Sequence, residues 1–158
     1  MSTGWSETMH RPGALILLAV LLIGAAPVTG VRCRIAVERG PVSGGWAGGC
    51  RTGLADGLGA GRVRFDDGET GVLAGRARGG RAVSGVALLD QGGFRLVAAT
   101  PEPASPMMDQ AAATSERAFQ NSFAGATAAA EAHRRAGNTA SARYYRQLRA
   151  RLIAGQPE

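Results

Sequence analysis

Glycine is the residue that most restricts this chain. Of its 158 residues 24 are glycine, and between Gly44 and Gly93 one recurs every few positions. A glycine inside a helix is less favourable than alanine by about 1 kcal/mol, so glycine at this density excludes helices there. The pieces between are strand-length: "RVRF", "GVLAG", "VALL" and "FRLVAA". They alternate, with Val63 and Phe65 set against Arg62 and Arg64, and with Phe94 and Leu96 on one side. Period two marks a half-buried strand rather than a disordered linker. "DDGE", Asp66 to Glu69, is a hairpin-turn signal, with Gly68 free to take positive φ. It has too few oxygen ligands at fixed spacing for a calcium loop. The region is expected to be a series of short antiparallel hairpins.

The flanks differ in composition. "MSTGWSETMHRPG" precedes the apolar stretch Ala14–Val28, with Arg11 before it and small residues Gly24, Ala25, Ala26 and Gly30 at and just past its end. The stretch is shorter than the ~20 residues of a comfortable membrane span, and its layout is that of a secretory signal peptide over residues 1–30. Export to the periplasm or the exterior is therefore expected, with an uncleaved N-terminal anchor as the alternative. "VRCRIAVERG" then alternates Val31, Cys33, Ile35 and Val37 against Arg32, Arg34 and Glu38, which predicts a strand. At the other end "ATPEPASP", within a linker over 99–106, carries three prolines that exclude regular structure. Beyond it alanine replaces glycine. Ser105 and Pro106 suit a helix start; Phe119, Phe123, Ala126 and Ala130 form one stripe, and Gly137 suits the residue after the helix. Asn138 or Thr139 caps a second helix with Ala142, Tyr145, Leu148 and Leu152 on one face. The predicted class is α+β: a sheet of short antiparallel β-hairpins over 31–98, then an αα-hairpin over 107–155.

Two cysteines, Cys33 and Cys50, remain beyond the leader. In an exported chain an even count favours a disulfide. A metal site needs more ligands, and a redox pair usually has the tighter C-x-x-C spacing. The net charge of +6 is carried by arginine alone, since the chain has no lysine. It favours anionic surfaces, which for an exported protein means lipid headgroups or envelope polymers. No basic stretch is interleaved with aromatics in the way that stacks on bases, so nucleic acid is not an expected partner.

The spacing of the glycines in "WAGGCRTGLADGLGAGRVRFDDG" carries a resemblance. Trp46 is followed by Gly48, Gly53, Gly57, Gly59 and, past the arginine-rich strand, Gly68. This resembles a repeat of the membrane occupation and recognition nexus (MORN) family, and residues 33–68 look like the opening of small exported bacterial proteins of that type. The resemblance implies that each repeat is a β-hairpin, with glycines at tight turns and close strand contacts, and that the aromatic packs on the next hairpin. One repeat further on the pattern decays, for Glu69 stands where the aromatic is expected. A weaker echo lies in "AEAHRRAGNTASARYYRQLRARL", which resembles a tetratricopeptide hairpin. A single such unit cannot bury its own face, so it must pack on the sheet, on a second copy or on a partner.

No catalytic constellation emerges. Past the leader the only histidine is His133, beside two arginines on a helix, and a solvated or partly packed role suits it. Paired carboxylates could come only from Asp56, Asp66, Asp67, Glu69 or Asp90; three of these belong to the predicted turn, and Asp56 reads as another turn residue. A phosphate loop needs a lysine that the chain lacks. No catalytic, metal or cofactor-binding residue is therefore assigned, and no cofactor is expected. The expected function is that of a non-catalytic exported envelope protein, a structural or protein-interaction module with self-association or a protein partner. The alternative is a peripheral binding module for anionic lipid, glycan or peptidoglycan. Tyr145, Leu148, Arg143, Arg146 and Arg149 are the candidate interaction face.

Overall fold

The computed structural model describes residues 33–37, 44–98 and 107–155. Residues 1–32, which include the expected signal peptide, and the whole proline-rich linker 99–106, with its Ser105–Pro106 helix start, lie outside the described residues. The class is α+β. Strands β1 (Cys33–Ile35), β2 (Gly44–Arg51), β3 (Leu54–Arg64), β4 (Thr70–Arg78), β5 (Arg81–Leu89) and β6 (Phe94–Ala98) form one sheet in that order, followed by α1 (Met107–Arg135) and α2 (Thr139–Ala154). Neighbouring strands all pair antiparallel.

The glycines do not cut the chain into short strands. β3 runs for 11 residues through Gly57, Gly59 and Gly61. Asp56, expected in a turn, is therefore inside a strand. The turn sits earlier, at Thr52 and Gly53, whose φ angles of 49° and 77° are both left-handed, as a type I′ hairpin turn requires. The expected Asp66–Glu69 turn is present. The Gly68 N–H donates to the Phe65 carbonyl, the Phe65 N–H to the Glu69 carbonyl, and the Glu69 N–H to the Asp67 side chain.

The pairing registers explain the glycines inside the strands. Gly48, Gly59, Gly75 and Gly85 are mutually paired, so they form one row across β2 to β5. They share a face with Trp46, Val63, Leu73 and Ala87, the inner face of the sheet. A Cβ on Gly75 would fall 2.7 Å from the Gly85 Cα, and one on Gly59 2.5 Å from the Trp46 indole nitrogen. The backbones approach so closely along this row that a side chain would hold them apart.

β1 is shorter than the alternation predicted, because the chain leaves β2 after Ile35 and crosses the turn ends of two hairpins. Arg34 N–H donates to the Gly53 carbonyl. Ala36 N–H donates to the Gly80 carbonyl, and Ala82 N–H donates back to Ala36. Gly80 N–H in turn donates to Ala55, joining the two hairpins directly. This strap closes the inner core, in which Cys33, Ile35, Val37, Trp46, Val63, Phe65 and Leu73 are all buried. Cys33 and Cys50 are bonded, with Cα atoms 5.9 Å apart, which fastens the strap to the far end of β2.

The outer face is built for a helix. Beside the glycine row, Ala47, Ala60, Ala74 and Val86 pair in register to form a shallow track of small side chains. α1 lies along this face with Ala118, Phe119, Ala126 and Ala129 buried, and α2 adds Leu148 and Leu152 to the same core. Asn121 Nδ2 donates to Ser84 Oγ at 3.1 Å. The helical pair thus buries its stripe on its own sheet. α1 ends in a Schellman motif: Asn138 N–H donates to His133, Gly137 N–H to Arg134, and Gly137 takes φ 73°. Asn138 then turns to cap α2, its side chain accepting from the Ser141 N–H.

Candidate functional site

The residues marked out by the glycine pattern have structural positions. Trp46 is 1 % exposed and covers Gly59 in the inner core. Among the described residues its indole N–H has no acceptor, an unusual state for a buried donor. Gly48 and Gly59 belong to the paired row, Gly57 precedes it in β3 with φ 117°, and Gly53 and Gly68 occupy turns. Cys50 is exposed while Cys33 is buried.

The five residues of the candidate interaction face separate on folding. Leu148 is fully buried, so it belongs to no surface. Tyr145 is half-buried, its ring stacked on His133 with centroids 5.3 Å apart and planes 9° from parallel. Arg143, Arg146 and Arg149 are exposed and follow one another at three-residue intervals, so they form a single stripe along the outside of α2. Ile153, 44 % exposed, continues it by one turn. None of the three arginines makes an ion pair among the described residues, and α2 contains no acidic residue. Elsewhere on the helical pair Arg134 is held by Glu131 at 2.8 Å. That contact, chiefly the hydrogen bond from Arg134, lowers the Glu131 pKa and raises that of Arg134.

A second feature assembles from distant parts of the chain. Where α1 turns into α2, the bend leaves a cleft of about 220 Å³ against β2 and β3, lined by Gly45, Trp46, Ala47, Arg62, His133, Ser141, Tyr144 and Tyr145. The Trp46 side chain belongs to the inner core, on the opposite face of the sheet. Arg62 alternates outward from β3, its side chain 65 % exposed and paired with Asp90, which also accepts from Thr70. Tyr144 is 38 % exposed, edge-on to Tyr145 at 5.2 Å, with Arg151 above its ring. Sequence reading missed Arg62, Ser141 and Tyr144 as a group. Only β3 register and the αα-turn bring Arg62 to residues more than seventy positions away, and no linear motif carries that. The stack of His133 on Tyr145 had a fainter signal, since both flank the Gly137–Asn138 turn.

Among the described residues no group of three or more metal-ligating side chains gathers, and no helix is long and apolar enough to cross a membrane. Comparison with protein-family models, with curated proteins and with solved structures finds no match for this chain.

Proposed function

We propose that this is a non-catalytic, exported envelope protein: a disulfide-stapled sheet that carries a basic helix to an anionic surface. The observation that carries this reading is the stripe of Arg143, Arg146 and Arg149, exposed and, among the described residues, without ion-pair partners, on a helix lacking any carboxylate. Solvated arginines of one sign, close together and on a rigid support, attract phosphate and carboxylate groups. Ile153 at the end of the stripe adds an apolar contact of the kind found where a basic helix lies in a lipid interface. The buried apolar face of α2 is already occupied by the fold, so binding through this stripe is electrostatic rather than hydrophobic. The Cys33–Cys50 bond supports an oxidising compartment, and the MORN-like spacing of Trp46, Gly48, Gly53, Gly57, Gly59 and Gly68 supports an envelope role.

The test is co-sedimentation with phosphatidylglycerol vesicles, phosphatidylcholine vesicles and peptidoglycan sacculi. Binding to an anionic surface at low salt, lost at high salt and in an Arg143→Gln, Arg146→Gln, Arg149→Gln variant, supports the reading. Equal binding to phosphatidylcholine, or binding indifferent to salt, sinks it.

One observation favours association with protein as a second reading. β6 closes the sheet order, and among the described residues no strand pairs with its outer edge. Phe94 and Leu96 on that strand are 40 % and 49 % exposed. Unpaired edges flanked by apolar side chains are templates for a further strand. Sedimentation velocity on the parent and on Leu96→Lys distinguishes this: a dimer that the substitution dissociates supports association, and a monomer at all concentrations excludes self-pairing.

A further inference from the structure

The cleft at the αα-turn lies on a different flank of α2 from the arginine stripe and is not needed for surface attachment. Its chemistry is one-sided. Among the described residues its polar side chains are the Arg62 guanidinium, the His133 imidazole and the hydroxyls of Ser141, Tyr144 and Tyr145, and no carboxylate lines it. The Ser141 and Tyr144 hydroxyls make no hydrogen bond to other described residues. Arg62 gives Asp90 only part of a guanidinium that carries five N–H donors, and most of its side chain stays in water. The guanidinium only donates, so it calls for acceptor oxygens on a ligand, and a carboxylate matches its planar fork best. Tyr144, Tyr145 and Ala47 add apolar surface on which the C–H face of a saturated ring can rest. The volume of about 220 Å³ is below that of a site for a drug-sized ligand, and suits one ring.

We infer that this cleft binds a single acidic sugar residue, a pyranose bearing a carboxylate, with Arg62 holding the carboxylate and Tyr144 supporting the ring. The Ser141, Tyr144 and Tyr145 hydroxyls can donate to or accept from ring hydroxyls alike, so the carboxylate on Arg62 is what separates an acidic from a neutral sugar.

The experiment is a titration of the ¹⁵N-labelled protein with D-glucuronate, D-glucose, acetate and inorganic phosphate, followed by amide chemical shifts. Glucuronate is expected to bind about ten-fold more tightly than each of the other three, as one arginine–carboxylate contact joined to ring contact implies. The perturbed amides are expected at Gly45, Ala47, Ser141, Tyr144 and Tyr145. Arg62→Gln is expected to remove the preference for glucuronate over glucose. Asp90→Asn keeps the guanidinium and is expected to retain it, which separates a binding role of Arg62 from its ion pair. Tyr144→Ala, at an exposed position, is expected to weaken glucuronate but not acetate. The inference is overturned if acetate or phosphate binds as tightly as glucuronate, if glucose does, if the shifts map to Arg143, Arg146 and Arg149 instead, or if none of the four binds.

Discussion

Gly125 of α1 lies against the backbone of Gly75 in β4 so closely that a Cβ on Gly125 would sit 2.8 Å from the Gly75 carbonyl oxygen, with the Gly75 nitrogen and the Gly59 oxygen nearer still. Helix and sheet meet here backbone to backbone. Replacing glycine by alanine within a helix ordinarily gains about 1 kcal/mol. At this position the sign reverses, because the obstacle is main chain that cannot rotate away. Gly125→Ala is expected to destabilise the protein by about 1–3 kcal/mol, the usual range for an overpacked core. Urea denaturation of the two proteins measures the difference, and an unchanged or raised midpoint refutes the close-packing account.

The Cys33–Cys50 bond spans 17 residues of sequence and ties the strap to β2. Removing it frees a loop whose closure is worth roughly 3 kcal/mol in the chain-entropy description. The Cys33→Ala, Cys50→Ala variant is expected to lose stability on that scale, read from thermal melts under oxidising conditions. Reductant should move the parent towards the variant and leave the variant alone.

Around the β3–β4 turn, Arg95 donates to Asp67 at 2.6 Å and to Glu69 at 3.1 Å, with its guanidinium 4.3 Å from the Phe65 ring centroid. The hydrogen bond from Arg95 is the main cause holding the Asp67 carboxyl below its ordinary value of 3.8, helped by the Glu69 N–H. A carboxyl depressed on folding contributes stability above its unfolded pKa and loses it as pH falls through the folded value. The parent is therefore expected to lose stability below about pH 4 more steeply than Asp67→Asn. Because Asp67 is exposed, the difference should shrink in high salt. Denaturation midpoints from pH 2 to 7 would show it.

Two neighbours on α2 should behave in opposite ways. Leu148 is fully buried among Leu152 and the α1 side chains, so Leu148→Ala is expected to cost about 2–5 kcal/mol. Arg149, one residue on, is exposed, and Arg149→Ala is expected to fall within about 0.5 kcal/mol of the parent. Chemical denaturation measures both. A Leu148 variant as stable as the parent would return that residue to the candidate interaction surface.

Local signals were legible because each is written within a few adjacent residues. The Asp66–Glu69 turn, the helix stop at Gly137, the cap at Asn138 and the α2 stripe of Ala142, Tyr145, Leu148 and Leu152 all depend on neighbours one turn away, and all are present. The lengths of the strands were not legible. Glycine reads as a break when only its flexibility is weighed, whereas here it lets β3 continue where neighbouring backbone leaves no room for a side chain.

The amino-acid order alone determined the Asp66–Glu69 turn, the end of α1 at Gly137 and the cap of α2 at Asn138, since turn and cap chemistry act over short separations. It also left only two cysteines in the chain to pair. The tertiary structure decided which glycines face one another, because strand register is set by pairing between segments far apart in the chain. That register laid Gly48, Gly59, Gly75 and Gly85 in one row and opened the sheet to Gly125. It also brought Arg62 beside His133 and Tyr144, a juxtaposition that exists only once α1 has settled on the small-residue track of the outer face.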